Sequence, residues 1–288
     1  MSEFATWGVG GLAGSGALEV RELTNTAEII DALEPQRIYA APLYPLLEER
    51  FRALTRWVTA ESTSGRGLAV ESRGPAGVAL YLAGEPSAVE AILERFRPAR
   101  HSYLTYEDRH TGVVPRYFAL RGRQTLVRMR VDAATFRPVD SRGQQLLPQH
   151  LRMANDLYSS DSGAWLSRRH LTEEVYYGIW DNERVVSIAG TQSVSTTFGI
   201  AMVANVLTHP RYRDLGYATE CVSGLTAALL ERVRDVVLNV DPKNAAAIRV
   251  YERLGFQQES RLEEAWGMWR GRTWYERLLA ALYGLLSR

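Results

Sequence analysis

The sequence predicts an α/β fold in which a mixed, twisted sheet is flanked by helices. Three observations support this prediction. Short apolar stretches recur along the chain, several of them with the alternation of half-buried strands. Segments with the spacing of one-sided helices lie between them, and one strand runs through a glycine-containing turn straight into a long helix. Interleaved strands and helices place the helices on the faces of a partly parallel sheet.

The C-terminal half gives the clearest order of elements. Residues 126–131 alternate as a strand should, and helical spacing predicts a helix over 144–158 with Pro148 in its first turn. Residues 175–180 and 184–192 are rich in β-formers and predict a hairpin. The order then continues through further strands at 200–208, 236–240 and 265–270, with a helix before each of the last two.

A basic turn after the predicted strand 200–208 holds the first motif. Arg213, Gly216 and Ala218 form R-x-x-G-x-A at the start of a long apolar-striped helix. The small residues allow a phosphate to approach the main chain, and Gly216 can take φ values closed to other residues. Because the first N–H groups of a helix have no intrahelical partner, this turn predicts an anion-binding site.

The second motif follows the next predicted strand. Asn244, Ala247, Tyr251, Gly255 and Phe256 form N-x-x-A-x-x-x-Y-x-x-x-G-F. Asn244 suits an N-cap and Gly255 suits the position after a last helical turn, so the two predict a helix of about three turns. Ala247 and Tyr251 share one face, where a small residue permits close packing and a phenol lies one turn away.

Together the two motifs resemble those of the GNAT superfamily of acyl-coenzyme A-dependent N-acyltransferases. The resemblance covers residues 126–270, and the residues of the two motifs are most similar to the branch that includes glycine N-acyltransferase-like proteins. It implies that residues 124–288 form an acyltransferase domain. It also implies that the acyl group, acetyl above all, passes from acetyl-coenzyme A or another acyl-coenzyme A to a primary amine by direct attack in a ternary complex.

The same resemblance implies the residues that hold the cofactor. They comprise a pantetheine-binding strand, a pyrophosphate-binding loop and a following helix: Asn205, Val206, Leu207 and Thr208; Arg213, Asp214, Leu215, Gly216, Tyr217, Ala218 and Thr219; and Asn244, Ala247 and Tyr251. In the family the tyrosine matching Tyr251 protonates the departing thiolate, so Tyr251 is the predicted catalytic residue. The alternative for Tyr251 is packing of its ring against the sheet.

One departure from the family pattern concerns the general base. Many members carry a glutamate on the strand before the loop, whereas residues 200–208 hold no acid. The base is then water-mediated, or it comes from Glu173, Glu174 or Asp181. A main-chain N–H near a bulge in residues 203–208 is a candidate for stabilising the oxyanion, while His209 is expected to be structural.

The N-terminal part of the chain lacks the two motifs. Residues 1–16 predict a mobile arm. Residues 17–123 predict a second α/β domain, with helices at 45–60 and 87–96 and strands at 67–71, 77–82, 102–105 and 117–120. Its order resembles a degenerate GNAT-like half whose expected role is to wall off the acceptor site, with the boundary at 121–125.

Composition limits the classes of function. The formal net charge is +1, which gives no argument for a general nucleic-acid or membrane surface, and no apolar run approaches a membrane span. Cys221 is the single cysteine, which fits a reducing, cytoplasmic compartment. The histidines do not cluster, so no metal is expected. The acceptor stays open among a small amine, an amino acid and a peptide.

Three alternatives remain open at this point. Residues 274–286 carry an apolar stripe that docks on its own domain, forms a homodimer contact or attaches to a membrane surface. The absence of an acid on the strand keeps a non-catalytic acyl-coenzyme A sensor as the rival to an enzyme. A different nucleotide in the same anion site is the third alternative.

Overall fold

The computed structural model describes residues 18–161 and 165–270, which form one continuous twelve-stranded sheet. The predicted arm at 1–16 and the apolar stripe at 274–286 lie outside the described residues. The strands, in chain order, are β1 (Val20–Leu23), β2 (Thr55–Ser62), β3 (Gly65–Gly74), β4 (Gly77–Gly84), β5 (His101–Glu107), β6 (Phe118–Asp132), β7 (Gln144–Gln145), β8 (Tyr176–Asp181), β9 (Arg184–Ser195), β10 (Ile200–Thr208), β11 (Asp235–Val240) and β12 (Gln257–Trp269).

Helices cover both faces of this sheet. In chain order the α-helices of the described residues are α1 (Thr26–Leu33), α2 (Glu49–Arg52), α3 (Pro86–Arg95), α4 (Val114–Tyr117), α5 (Leu151–Ser159), α6 (His170–Glu173), α7 (Tyr217–Leu230) and α8 (Ala245–Arg253). Short 3₁₀ helices join several of them, including Ala41–Leu47 and Pro210–Tyr212. The predicted mixed α/β sheet flanked by helices is therefore confirmed.

Two predicted helices need correction. The helix predicted over 45–60 is α-helical only at Glu49–Arg52 (α2). Before it, Pro45 lies in the 3₁₀ helix Ala41–Leu47, and after it the β-branched residues of β2 pair with β3. The helix predicted over 144–158 begins later, at Leu151. Leu146 N–H donates to Tyr176 O at 2.8 Å, which draws the preceding residues into the sheet as β7.

Three other predictions are confirmed, and the last of them has longer bounds than predicted. The hairpin β8–β9 turns at Asn182, which adopts a φ of 54°, and helix α3 lies where it was predicted. The predicted last strand at 265–270 is the end of the much longer β12.

The two halves of the chain exchange strands at the centre of the sheet. The strand order is β1-β2-β3-β4-β5-β12-β6-β11-β10-β9-β8-β7. Strand β12, from the end of the described chain, pairs with β5 of the N-terminal half, whereas β6 pairs with β11 of the C-terminal half. Each half therefore completes its sheet with a strand that the other half supplies. The predicted boundary at 121–125 lies within β6.

The order of elements repeats between the halves. Three antiparallel strands are followed by a helix and then by a strand parallel to the third. This order gives β4, α3 and β5 in the first half and β10, α7 and β11 in the second. The N-terminal half is thus an additional α/β unit with the same arrangement.

The faces of the C-terminal half are covered by different parts of the chain. Helices α7 and α8 pack on one face, where Val203 and Leu238 lie in the same apolar cluster as Tyr251. Helices α5 and α6 cover β8 and β9 on the opposite face. On that opposite face, Ile200 and Met202 of β10 pack against residues of α1 and of the Ala41–Leu47 segment. The N-terminal half therefore reaches over the centre of the C-terminal sheet.

Candidate active site

An opening between the two parallel strands β10 and β11 forms the centre of the site. These strands pair only from Ile200–Asp235 to Val203–Leu238. Beyond that point β10 remains paired with β9, and Asn239 and Val240 of β11 remain paired with β6. The main chain of β10 from Ala204 onward therefore has no strand partner on its β11 side.

A β-bulge lies in β10 at the point where the strands part. The register with β9 shifts between Ala204 and Leu207, and Asn205 adopts a φ of 56°. Two tyrosines hold Asn205: the Tyr158 hydroxyl donates to Asn205 O at 2.6 Å, and Asn205 Nδ2 donates to the Tyr176 hydroxyl at 2.8 Å. A bulge turns main-chain groups out of the ladder. Here it leaves Asn205 and Val206 without partners in the β9 ladder.

The turn that follows β10 leads into the uncapped start of α7. Asp214 adopts a φ of 62° and Gly216, the N-cap residue, a φ of 82°. Among the described residues no side chain caps the helix, so the N–H groups of Tyr217, Ala218 and Thr219 have no protein acceptor there. Leu215 is 57% exposed. Open amides at the positive end of a helix dipole suit a diphosphate.

Cations flank this start of α7 from two directions. Arg213 forms an ion pair with Asp161 and donates from Nε to Thr208 O at 3.4 Å. Arg142 lies over the Tyr217 ring, 5.1 Å from its centroid, and pairs with Glu220 at 2.7 Å. Sequence analysis missed Arg142, since nothing in its surroundings links residue 142 to a helix that begins at residue 217.

Helix α8 carries the second motif beside α7. Asn244 Oδ1 accepts from Ala247 N–H at 3.0 Å, which confirms Asn244 as the N-cap. Tyr251 is 7% exposed, and its ring packs against Phe256 at 5.8 Å between centroids. Its hydroxyl has no hydrogen-bond partner among the described residues. It is also not among the polar atoms of these residues that are buried from solvent and unpaired. Burial raises the pKa of Tyr251 to about 12, so the phenol stays protonated at neutral pH.

A cavity of about 330 Å³ lies on the face of β10 opposite α7. Its walls include Glu174, Thr191 and Asn205 from the C-terminal half, together with Arg50 and Phe51 from the N-terminal half. Glu173 also lines it, whereas Asp181 lies elsewhere and accepts from the Tyr212 hydroxyl at 2.6 Å. Of the three acids considered as the base, two therefore line the cavity that Asn205 also lines. Arg50 and Phe51 were not identified from the sequence.

The equivalent turn in the N-terminal half differs in ways that disfavour an anion. Gly84 N–H donates to Glu107 Oε1 at 2.9 Å, and His110 Nε2 contacts Gly84 O at 2.8 Å, so side chains already occupy these groups. Glu85 is the N-cap of α3, and Pro86 at its first position has no N–H to offer. A negative charge at a helix start repels phosphate.

Two other residues considered in the sequence, His209 and Cys221, make contacts that suit a structural role. His209 Nδ1 accepts from Arg211 N–H at 3.2 Å and caps the 3₁₀ helix Pro210–Tyr212. Cys221 is fully buried, and burial raises the pKa of its thiol far above the ordinary value, so the thiolate is scarce.

Within residues 18–161 and 165–270 no group of potential ligands is arranged for a metal ion. No helix of these residues has the length and apolarity of a membrane span.

Comparison with known proteins agrees with this geometry. A profile described as the acetyltransferase (GNAT) family matches residues 145–256. No curated protein matches the chain significantly.

Three solved structures share the fold across both halves. A Drosophila protein solved in a structural genomics programme is 12% identical, with 88% of this chain and 99% of that chain covered and a TM-score of 0.62. A GCN5-related N-acetyltransferase from Sphaerobacter thermophilus is 14% identical, with 88% and 97% covered and a TM-score of 0.56. A second one, from Kribbella flavida, is 17% identical, with 80% and 94% covered and a TM-score of 0.52.

The family profile spans most of the candidate site. The profile covers the hairpin β8–β9, the bulged strand β10, the open start of α7 and the capped helix α8. Residues 145–256, which hold most of the candidate site, therefore match the acetyltransferase (GNAT) family profile.

Proposed function

We propose that this protein is an N-acyltransferase that moves an acyl group, acetyl above all, from acyl-coenzyme A to a primary amine. The observation that carries the proposal is the coincidence of three features at one opening: the parted strands β10 and β11, the bulge at Asn205, and the uncapped start of α7. The residues of the two motifs also favour a relationship to the glycine N-acyltransferase-like branch.

The cofactor fits this opening in one direction. Its diphosphate would accept hydrogen bonds from the N–H groups that follow Gly216, with Arg213 beside them. Its pantetheine arm would lie along the main chain of Asn205–Thr208, whose peptide groups pair with amides as a missing strand would. Asn244 and Ala247 would border the arm from α8, with Ala247 leaving room for it.

Tyr251 would assist departure of the thiolate. The amine nitrogen attacks the thioester carbonyl and the C–S bond breaks, so that sulfur leaves with the electron pair. The protonated phenol of Tyr251 would supply a hydrogen bond and then a proton to that sulfur. A main-chain N–H at the bulge would stabilise the oxyanion of the tetrahedral intermediate.

Exchange of Tyr251 for phenylalanine tests this assignment. With acetyl-coenzyme A and a panel of primary amines, we expect Tyr251→Phe to lower kcat by about 100-fold, the scale of general acid catalysis. Affinity for acetyl-coenzyme A, measured by calorimetry, should stay within about twofold of wild type. Because the native pKa is about 12, no loss of rate from ionisation of Tyr251 is expected below about pH 11.

Tyr106→Phe is the matched control, because Tyr106 is a fully buried tyrosine of the N-terminal core whose hydroxyl has no partner among the described residues. It should leave kcat unchanged. A wild-type protein that binds acetyl-coenzyme A but releases no thiol with any amine would contradict the enzymatic function. A melting temperature raised by ATP or NAD and not by acetyl-coenzyme A would contradict the cofactor.

A further inference from the structure

The cavity between the two halves is lined by the carboxylate of Glu174, which lacks an ion-pair partner among the described residues. Glu174 follows α6 directly, and among the described residues no cation lies within ion-pair distance of its carboxylate. Thr191 Oγ1 donates to Glu174 Oε2 at 2.9 Å, and Thr191 is itself 1% exposed. Neighbouring Glu173 differs, since it pairs with Arg169 at 2.9 Å.

The sheet register places this carboxylate beside the bulge. Thr191 lies directly opposite Val203 in the β9–β10 ladder, two residues before Asn205. Tyr176, two residues after Glu174, accepts the hydrogen bond from Asn205 Nδ2. Glu174 and Asn205 are therefore each bonded to a residue of the β8–β9 ladder, and both line one cavity.

We propose that Glu174 is the general base of the acyl transfer proposed above and that this cavity binds the acceptor amine. A volume of about 330 Å³ suits a compact amine of amino-acid size. Arg50 and Phe51 form its N-terminal wall, so the N-terminal half contributes to acceptor binding while the cofactor enters from the opposite side of β10.

The chemical step balances with these groups alone. The Glu174 carboxylate accepts a proton from the ammonium form of the acceptor, which leaves a neutral amine with its lone pair free. That nitrogen attacks the thioester carbon, the C–N bond forms and the C–S bond breaks. The proton lost from nitrogen as the amide forms passes to sulfur through Tyr251, and Glu174 returns its own proton to water.

The electrostatics of the cavity suit a base that works near neutral pH. Burial raises the pKa of Glu174 to about 6, against the opposing hydrogen bond from Thr191. Glu173 and Glu48 raise this pKa further, and Arg50 lowers it. His170, Arg169 and Tyr176 complete the ionisable groups of the wall. Turnover should therefore fall as the pH decreases through about 6, since protonated Glu174 cannot accept a proton.

The pH dependence of kcat/KM tests the proposal, using acetyl-coenzyme A and the amine that wild type acetylates fastest. Glu174→Gln should lower kcat/KM by about 100-fold at pH 7.5 and abolish the fall in rate near pH 6. Thr191→Val removes the bond that lowers the pKa, so the same fall should move to higher pH. Glu183→Gln, at an exposed hairpin position, is the charge-matched control and should behave as wild type.

Binding of acetyl-coenzyme A by Glu174→Gln separates loss of the base from loss of the fold. We expect wild-type affinity, because Glu174 lies on the face away from α7. Wild-type activity with an unchanged pH profile in Glu174→Gln would overturn the role of Glu174 and leave the acyl transfer standing. Absence of thiol release by wild type with every amine would overturn the acyl transfer and this inference together.

Discussion

At the scale of single residues, the site depends on how closely Tyr176 packs against Gly190. A Cβ atom at Gly190 would lie 2.2 Å from Tyr176 Cε1, nearer than carbon atoms approach without displacement. Tyr176 in turn receives the hydrogen bond from Asn205. The bulge is thus positioned through a glycine on the neighbouring strand.

Gly190→Ala should therefore displace Tyr176 and disturb the bulge. We expect the free energy of unfolding, measured in urea, to fall by about 1–3 kcal/mol, as overpacking usually costs. We also expect kcat to fall. Gly112→Ala is the control, because a Cβ there meets no atom within 4 Å. Equal stability of the two variants would show that Tyr176 does not need this space.

At the scale of elements, the start of α7 combines a left-handed residue with open helix amides. Gly216 has a φ of 82°, and a Cβ there would meet no neighbouring atom. Any effect of alanine must then arise from the backbone and not from a clash. A residue with a side chain loses about 1–2 kcal/mol in this conformation, so the turn would relax away from it.

Gly216→Ala should weaken binding of acetyl-coenzyme A by about 5- to 30-fold, which corresponds to that strain. Circular dichroism should show an unchanged fold. Gly122→Ala matches it in strain, with a φ of 62° and open space, but lies in β6 away from the turn. Calorimetry should give that control wild-type affinity. Equal affinities of both variants and wild type would exclude the turn from the cofactor site.

At the scale of the whole molecule, strand exchange and one buried ion cluster join the two halves. Asp235 of β11 is 1% exposed and accepts hydrogen bonds from three arginines. Arg37, which lies in the N-terminal half between α1 and the 3₁₀ helix Ala41–Leu47, donates at 3.0 Å. Arg130 of β6 donates at 2.7 Å and Arg234 at 2.9 Å. Arg37 also donates to Phe198 O and Gly199 O.

Asp235→Ala leaves these arginines without their common partner and should lower the free energy of unfolding by about 3–5 kcal/mol. Burial raises the pKa of Asp235, but the arginine hydrogen bonds outweigh it and hold this pKa below the ordinary value. A lowered native pKa stabilises the fold above the unfolded value near 4, and this stabilisation is lost as the pH falls below it.

Urea unfolding from pH 7 to pH 3 measures both effects. The variant should lose less stability than wild type on acidification, since its cluster no longer titrates. Asp31→Ala removes a more exposed carboxylate, which pairs with Arg66 at 3.0 Å, and should cost less than about 1 kcal/mol. A similar small loss in both variants would mean that the cluster does not hold the halves together.

The sequence by itself determined the elements whose signals are local. The turn at Gly216, the cap at Asn244 and the hairpin at Asn182 each lie within a few residues, so their backbone preferences can be recognised in the linear chain. The proposed cofactor-binding residues were grouped on the same local signals. Such signals failed over 55–60, where pairing of β2 with β3 overrode a helical pattern.

Only the tertiary structure decided how the halves combine. Exchange of β6 and β12, the packing of the N-terminal segment over β10, and the cavity shared by Arg50 and Glu174 all join residues far apart in the chain. Such contacts depend on which surfaces pack together and leave no local pattern. For that reason the general base, which the sequence left open between a water-mediated path and three acids, is inferred from the burial and contacts of Glu174.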